Sequence, residues 1–296
     1  MTVILVDVEA DVPVQFAQCK DITYWDDTAL VSDSTECLQV VLDSLVSHAR
    51  SFGLEPNGGK TVHMQIKHDA HLAGPGGQPV KCVEQAVYLG GLLRTDGSTQ
   101  VSITRRLGQA RAAFDKLVSV WRHANITAKR KLLVFNACVV SALLYSLETI
   151  CMRKADKDRI DAFQAKCLRQ IFKILHSMIS HVSNATILAK AGAKPLSSRL
   201  LSRQLHFYGR LASLPATSLL RQAVLQPNTA VPLELSGKRR RGRPRLSWFS
   251  VLFAQALKLA GGSPAALNEM LCGASATPHG WRLAVCDFCN RQQVGS

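Results

Sequence analysis

Two adjacent carboxylates, Asp26 and Asp27, have the residue type and spacing that could hold a metal ion. They follow the β-type segment Ile22–Trp25 and precede a second one, Thr28–Val31, so the pattern predicts a hairpin with both aspartates at its turn. Two carboxylates at one exposed point repel each other unless a cation lies there, and hard oxygen ligands suit Mg²⁺. The alternative interpretation is an ordinary solvated Asp-Asp turn, because short motifs also match by chance.

The elements around this turn predict a mixed first third of the chain. Residues Ser34–Phe52 have the apolar spacing of an amphipathic helix, with Ser34 as its N-cap and Gly53 after its end. A Gly/Pro-rich loop is expected at 69–79, and residues 83–93 return to β character. The first 100 residues are therefore expected to carry a short antiparallel sheet with one or two helices.

From about residue 102 the apolar residues adopt the helical period. Three apolar stripes cover residues 103–121, 132–147 and 160–174, and shorter helices are expected over Ser183–Ala191, Ser197–Ala212 and Ser250–Leu259. We therefore predict an α+β fold in three parts: a mixed region over residues 1–100, an all-α region over 101–225, and a basic linker and C-terminal tail over 226–296.

Charge is distributed unevenly along the chain. Residues 1–60 hold 3 basic and 10 acidic residues, whereas residues 61–296 hold 33 basic and 11 acidic residues, for a formal net charge of +15. A large positive field attracts polyanions, so nucleic acid is the first partner to consider, ahead of a membrane surface. The alternative is a basic protein with no specific anion. With 47% apolar residues the chain can bury a core, which argues against general disorder.

The order of several short strings resembles the reverse transcriptases of non-LTR (LINE-type) retrotransposons. Residues 22–30 resemble the Y-x-D-D-T box, residues 52–61 the F-G-L-x-x-N-x-x-K-T segment, and residues 88–92 the Y-L-G hairpin. The later strings are residues 103–110 (I-x-x-R-I-x-x-A), 144–149 (L-Y-G-x-E-T, with Ser146 for Gly), 163–169 (F-x-x-x-C-L-R) and 242–248 (G-R-P-x-x-x-W). These seven strings, in family order, cover about residues 20–250.

This resemblance implies the end of a polymerase palm followed by thumb and connector-like helices, with an RNA template and a DNA primer as partners. In the family, two Mg²⁺ (or Mn²⁺) ions activate the primer 3′-hydroxyl and steady the leaving pyrophosphate. Carried over, it makes Asp26 and Asp27 metal ligands and Tyr24 a nucleic-acid contact. It places Lys60 near the incoming nucleotide, where the alternative is a solvated loop lysine. The hairpin at Tyr88–Leu93 would support the primer end.

Departures from the family lead us to expect no polymerisation by this chain alone. Only 25 residues precede Asp26, and they hold neither finger subdomain nor Gln-Gly segment. Asp7 lies 19 residues before Asp26, too close for the elements that the family places between its first aspartate and the Asp-Asp turn. It is either a remnant of the first aspartate motif after an internal deletion or a chance match, and we favour the chance match. Trp25 stands where relatives carry a small residue, so its indole would obstruct the site.

Two other hypotheses remain open from the sequence. One is a basic module that binds RNA or DNA without catalysis. The other is a chain with no stable fold, because a palm without its fingers leaves sheet edges unpaired.

A basic segment at residues 238–245 is a second candidate for nucleic-acid contact. It consists of Lys238, Arg239, Arg240, Arg241, Gly242, Arg243, Pro244 and Arg245. Gly and Pro keep such a string extended, and it resembles the core of AT-hook segments, whose arginines lie in a narrow minor groove. It could equally be a nuclear-import signal, a phosphate-contacting loop or a solvated charged loop. We expect a general nucleic-acid contact.

The cysteines and apolar stretches indicate an intracellular protein, nuclear or cytoplasmic, that is neither secreted nor transmembrane. The nine cysteines are odd in number and scattered, and no positive region precedes the apolar N-terminus, which is typical of reduced thiols without a secretory signal. The longest apolar stretch, Leu132–Leu147, is shorter than the roughly 20 residues of a membrane span and is interpreted as a buried helix.

Four residues near the C-terminus have types that zinc prefers: Cys272, His279, Cys286 and Cys289. Some relatives carry a zinc-binding element near this position. However, the spacing C-x6-H-x6-C-x2-C does not match a common zinc finger. Cys286 and Cys289 are therefore interpreted as two reduced cysteines rather than as zinc ligands.

Overall fold

The computed structural model describes residues 20–24, 27–32, 34–65, 71–74, 77–233 and 247–291. It divides the chain into two compact units with the boundary between Ser98 and Thr99. The first unit contains all the paired strands that are described and one long helix, and the second is helical. The predicted α+β class is confirmed.

The described residues of the first unit form six short strands and one helix. In chain order they are β1 (Lys20–Tyr24), β2 (Asp27–Val31), α1 (Thr35–Ser51), β3 (Val62–His63), β4 (Lys81–Cys82), β5 (Gln85–Tyr88) and β6 (Gly91–Arg94). The strands pair as three two-stranded sheets: β1 with β2 and β5 with β6 are antiparallel, and β3 with β4 is parallel.

The second unit contains twelve helices and one π-helix among its described residues. They are α2 (Gln100–Lys116), α3 (Val118–Arg122), α4 (Ala128–Val134), π1 (Phe135–Val140), α5 (Ser141–Leu144), α6 (Lys154–Ile171), α7 (Ser177–Ser180), α8 (Asn184–Ala191), α9 (Leu196–Ala212), α10 (Leu219–Gln222), α11 (Trp248–Leu259), α12 (Pro264–Cys272) and α13 (Pro278–Arg291). No helix within the described ranges combines the length and the apolar character needed to cross a bilayer.

Helix α1 follows the local signals of the sequence. The Ser34 side chain accepts a hydrogen bond from the Cys37 backbone N–H at 3.2 Å, which satisfies one of the free donors at the helix start. Gly53, just past the end, has a φ of 73°, the left-handed conformation that glycine adopts without a steric penalty. The predicted helix and both of its end signals are confirmed.

A first core cluster fills the beginning of the helical unit. Ile103 and Phe114 of α2, Leu143 of α5 and Leu168 of α6 are all almost fully buried in it. The Phe114 ring stacks on Trp121 with centroids 5.0 Å apart. These residues belong to the three apolar stripes, so the predicted helical period does identify the core.

A second core cluster joins helix α9 to the C-terminal helices. Leu205 and Tyr208 of α9 pack in one cluster with Leu252 of α11, Leu267 of α12 and Val285 of α13. Because Leu200 of the same helix belongs to the first cluster, α9 connects the two cores. The sequence predicts a helix close to α11 but neither α12 nor α13. The region predicted as linker and tail therefore contributes helices to a core.

Candidate functional site

The acidic turn lies at the end of the hairpin β1–β2. The strands pair from Lys20 opposite Val31 to Tyr24 opposite Asp27, so the predicted hairpin is confirmed, with one correction. Asp27 is the first residue of β2 rather than a turn residue, because it pairs with Tyr24 across the two strands. Trp25 and Asp26 lie outside the described residues, as does Asp7.

The two described residues at the end of this hairpin are open to solvent. The Tyr24 side chain is exposed by 57%, and Asp27 is also exposed. The Asp27 carboxylate forms no ion pair with another described residue. Its oxygens are therefore available to a hard cation, although one carboxylate does not complete a metal site. Within the described part of the chain, no three His, Cys, Asp or Glu side chains are grouped so that they could hold a metal.

A second hairpin packs on the acidic one through Tyr88. The Tyr88 hydroxyl donates a hydrogen bond of 2.7 Å to the carbonyl oxygen of Ile22, in the middle of β1. Burial and the nearby Asp27 carboxylate both raise the pKa of Tyr88 above its usual value. The structure therefore brings the Y-L-G segment next to the acidic hairpin, although 66 residues separate Ile22 from Tyr88 along the chain.

The turn of this second hairpin has the geometry of a tight two-residue connection. Tyr88 pairs with Gly91, and the two residues between them, Leu89 and Gly90, both have positive φ values of 46° and 74°. Two left-handed residues match the twist of the flanking strands, which explains a glycine at this position. The predicted β character of residues 83–93 is confirmed, and the hairpin expected at Tyr88–Leu93 extends from Gln85 to Arg94.

Lys60 lies in a turn organised by Asn57. The Asn57 backbone and side-chain oxygens both accept hydrogen bonds from the Lys60 backbone N–H, at 3.0 and 3.1 Å, and the Thr61 hydroxyl donates to the same backbone oxygen at 2.9 Å. The asparagine of the string thus holds a local turn. The Lys60 side chain is exposed, and no hydrogen bond or ion pair between described residues joins it to Asp27. The structure does not bring these two candidate residues together.

Residues of the later strings contact one another within the helical unit. The Arg106 guanidinium of α2 lies 4.6 Å from the centre of the ring of Tyr145, which follows α5, and the two form a cation–π contact. The Trp248 indole N–H donates a 2.7 Å hydrogen bond to the carbonyl of Glu148, and the Glu148 carboxylate pairs with Arg203 at 3.2 Å. Residues of three separate strings therefore touch one another through Tyr145 and Glu148.

Arg169 of the F-x-x-x-C-L-R string is buried and fastens the segment between α6 and α8. Its guanidinium donates to the carbonyl of Val182 at 2.6 Å, to Asn184 Oδ1 at 3.1 Å, and to the Leu175 carbonyl and the Ser180 hydroxyl at 3.4 Å. A planar fork with several donors is suited to such a set of acceptors. We interpret this arginine as structural.

Ser146 occupies the position at which the L-Y-G-x-E-T string has glycine. Its φ is 60°, in the left-handed region, where a side chain costs about 1–2 kcal/mol. Replacing Ser146 with glycine is therefore expected to raise the free energy of unfolding of the helical unit by about 1 kcal/mol. Denaturant unfolding followed by circular dichroism measures this change.

The matched control for this substitution is Ala112→Gly in α2. Ala112 is an exposed position in the interior of a right-handed helix, so glycine there is expected to lower the stability by about 1 kcal/mol. If Ser146→Gly destabilises the protein as Ala112→Gly does, the left-handed backbone is not the reason why the L-Y-G-x-E-T string has glycine at this position.

Two candidate regions near the C-terminus have different outcomes. The basic segment from Lys238 to Arg245 lies outside the described residues. Cys286 and Cys289 lie on α13, the first exposed and the second buried in the second core cluster. Burial raises the pKa of the Cys289 thiol, which disfavours the thiolate that a metal ligand requires.

Sequence inspection missed one basic feature of the helical unit. Arg199, Arg203, His206 and Arg210 recur along α9 with spacings of four, three and four residues. That spacing places them on one face of the helix, and it could have been found by applying the helical period to charged rather than apolar residues.

Comparison with known proteins returned no relative. No protein-family model matches the chain. No curated protein and no solved structure matches it either.

Proposed function

We propose that this chain is a part of a non-LTR retrotransposon reverse transcriptase, comprising the end of the palm and the thumb and connector-like helices. The proposal is based on the order of the seven strings. The observation that supports it most is the hydrogen bond from Tyr88 to Ile22. It brings the Y-L-G segment beside the acidic hairpin, where a primer end would need to lie for nucleotidyl transfer.

The chemistry of such a site would depend on the acidic hairpin. Divalent ions bound there would activate the primer hydroxyl and neutralise the leaving pyrophosphate. Asp27 offers an exposed carboxylate at the end of β2, and Asp26 adjoins it in the sequence. Tyr88 would hold the second hairpin against this point through a polar contact rather than by apolar packing alone. Lys60 would act on the incoming nucleotide, without a contact to Asp27.

The second candidate function is nucleic-acid binding without catalysis. It is favoured by the excess of 33 basic over 11 acidic residues after residue 60 and by the row of basic side chains on α9. The two functions differ in whether the acidic hairpin binds a divalent cation, so one titration separates them.

Mn²⁺ is expected to bind at the acidic hairpin. In a titration of the isotope-labelled chain followed by amide NMR signals, sub-stoichiometric Mn²⁺ should broaden Asp27 and Thr28 before other residues, because paramagnetic relaxation acts over a short range. The double substitution Asp26→Asn with Asp27→Asn should abolish the selective broadening. Asp43→Asn, which removes an exposed carboxylate from α1, is the matched control and should leave the broadening unchanged.

Primer extension provides the second readout for the same variants. On a poly(A) template with Mg²⁺ or Mn²⁺, residues 1–296 alone are expected to add no nucleotides, because no string before Asp26 matches the finger motifs of the family. Extension by the wild type that is lost in Asp26→Ala would overturn this expectation and establish a self-sufficient polymerase. Absence of any selective Mn²⁺ broadening would instead reject the metal site and leave the binding module.

A further inference from the structure

We infer that the outward face of helix α9 is a binding surface for the phosphate backbone of nucleic acid. The surface consists of Arg199, Arg203, His206 and Arg210, here called the α9 basic row, with Arg282 of α13 beside it. The inference goes beyond nucleotidyl transfer, because binding of nucleic acid requires no metal ion and no nucleotide. It rests on the proposed function only for the biological role of that binding.

The row has a regular geometry. Positions 199, 203, 206 and 210 follow the helical repeat, and the opposite face of α9 carries the buried residues Leu205 and Tyr208. At 1.5 Å per residue the row is about 16 Å long. One strand of B-form DNA has a phosphate for about every 3.4 Å of helix axis, so the row covers a run of about four or five phosphates.

The positive charges of the row are held together with little compensation. Among the described acidic residues only Glu148 forms an ion pair with the row, at 3.2 Å from Arg203. Burial and the neighbouring Arg203 lower the pKa of Arg199, and burial together with Arg282 and Arg210 lowers the pKa of His206. Burial is the larger cause of both shifts and the neighbouring positive groups are the smaller one, so His206 is neutral at pH 7 and the positive charge of the row comes from its arginines. These arginines repel one another, and a bound anion would relieve this repulsion.

One end of the row opens into a small cavity that has further polar groups. The cavity has a volume of about 330 Å³ and is lined by Arg199, Lys194 and Asn136, among others. Arg199 donates a 2.6 Å hydrogen bond to Asn136 Oδ1, and Lys194 donates to the side-chain oxygen of Asn290. Both cations are therefore oriented by neutral amides rather than neutralised by carboxylates. Asn136 belongs to π1, and π-helical turns frequently occur at functional sites.

Aromatic rings beside the row favour nucleic acid over an acidic polypeptide. The guanidinium fork of arginine binds phosphate and carboxylate oxygens in pairs alike, so the choice between the two anions depends on these partly exposed rings. The Phe207 ring lies 5.5 Å from the Arg210 guanidinium and 5.7 Å from the ring of Trp248. Unstacked bases stack on such rings, whereas the carboxylate side chains of an acidic peptide have no aromatic face that could stack on them.

The test removes positive charge from the row and compares the effect on nucleic-acid binding with the effect of removing the same charge elsewhere on the helical unit. The triple variant Arg203→Gln, Arg210→Gln and Arg282→Gln is compared with Lys116→Gln, Lys129→Gln and Lys154→Gln. These three control lysines are exposed on α2, α4 and α6. Binding of a fluorescent DNA duplex and of a single-stranded RNA of the same length is measured by anisotropy over a range of salt concentrations, with the full chain in every case.

The row variant is expected to bind both nucleic acids about tenfold or more weakly near physiological salt, and its slope of log K against log salt should fall by about three. The control variant should lose about threefold at most, through the general field. The variant in which the same three arginines become lysines should retain most of the affinity. Equal losses in the row and control variants would overturn the inference. So would a row-dependent binding of poly-glutamate with unchanged binding of both nucleic acids.

Folding and catalysis are separated from binding in the same set of measurements. Should the triple variant lose its cooperative thermal transition, the double variant Arg210→Gln with Arg282→Gln, both at exposed positions, is expected to lower the salt slope by about two. An unchanged slope in that double variant would reject the row. Because these binding measurements need no divalent cation, a failed Mn²⁺ titration leaves the outcome for the row unaffected.

Discussion

Replacing Gly209 with alanine is expected to lower the free energy of unfolding of the helical unit by about 3 kcal/mol. Gly209 lies in α9 where α13 crosses it, and a Cβ atom there would overlap Nε1 and Cδ1 of Trp281 and lie 2.9 Å from its Cε2. The indole cannot move aside freely, because its N–H donates a 3.0 Å hydrogen bond to the carbonyl of Leu205, one turn before Gly209. Accommodating the methyl group therefore requires either losing this bond or separating the two helices.

The measurement is thermal and denaturant unfolding of the full chain, with Gly108→Ala as the matched control. Gly108 is also a helical glycine, in α2, but a Cβ there would meet no atom within 4 Å. Alanine at position 108 should therefore stabilise the unit by about 1 kcal/mol, through helix propensity alone. At about 2–4 °C for each kcal/mol, the two variants should differ in midpoint by about 10 °C. Similar midpoints for both would contradict the close packing of α9 on Trp281.

This contact also shows why part of the fold was beyond sequence analysis. Helix α1 and the hairpin β1–β2 could be predicted because their signals are local: Ser34 as a cap, Gly53 past the end, and two apolar strands around a short turn. The approach of α9 to α13 depends on a glycine and a tryptophan far apart in the chain, and no local pattern pairs them. The same holds for the hydrogen bond between Tyr88 and Ile22.

Two other differences have separate causes. Helices α12 and α13 are not predicted because their apolar residues share the segment with Gly, Pro and Ser. Yet Ser263 followed by Pro264 is a recognisable start, since the Ser263 hydroxyl caps α12 by accepting from Ala266 N–H. The π-helix at Phe135–Val140 cannot be seen in an apolar stripe, because a change from 3.6 to a wider turn hardly alters the pattern over six residues.

The candidate site was predictable in composition but not in arrangement. The acidic hairpin and the Y-L-G hairpin could each be located from their strings, whereas their contact through Tyr88 and Ile22 is seen only in the structure. Lys60 is different: the turn around Asn57 explains its string locally, without a contact to Asp27. An ordered set of motifs therefore contains both residues that can serve chemistry and residues that maintain the fold, and only contacts separate the two kinds.

Arg169 is the clearest example of a motif residue that maintains the fold, and its substitution is the second one for which we expect a large effect on stability. Replacing Arg169 with methionine should lower the free energy of unfolding of the helical unit by about 3 kcal/mol, because the buried guanidinium donates to acceptors on Leu175, Val182 and Asn184. The side chain is only 7% exposed, so the change acts on the interior. Lysine should restore little, since one ammonium group cannot reach Val182 and Asn184 in the geometry of a planar fork.

The control for this substitution is Lys166→Met on the same helix. Lys166 is exposed, so removing its charge should change the stability by about 0.5 kcal/mol or less. Nucleic-acid affinity then distinguishes a structural arginine from one that binds phosphate. At a temperature where both proteins are folded, Arg169→Met should bind the DNA duplex as tightly as Lys166→Met does. A stable Arg169→Met protein with weakened binding would mean that the arginine of this string contacts nucleic acid. An unstable protein with intact binding would mean that the binding surface lies elsewhere, which agrees with the α9 basic row.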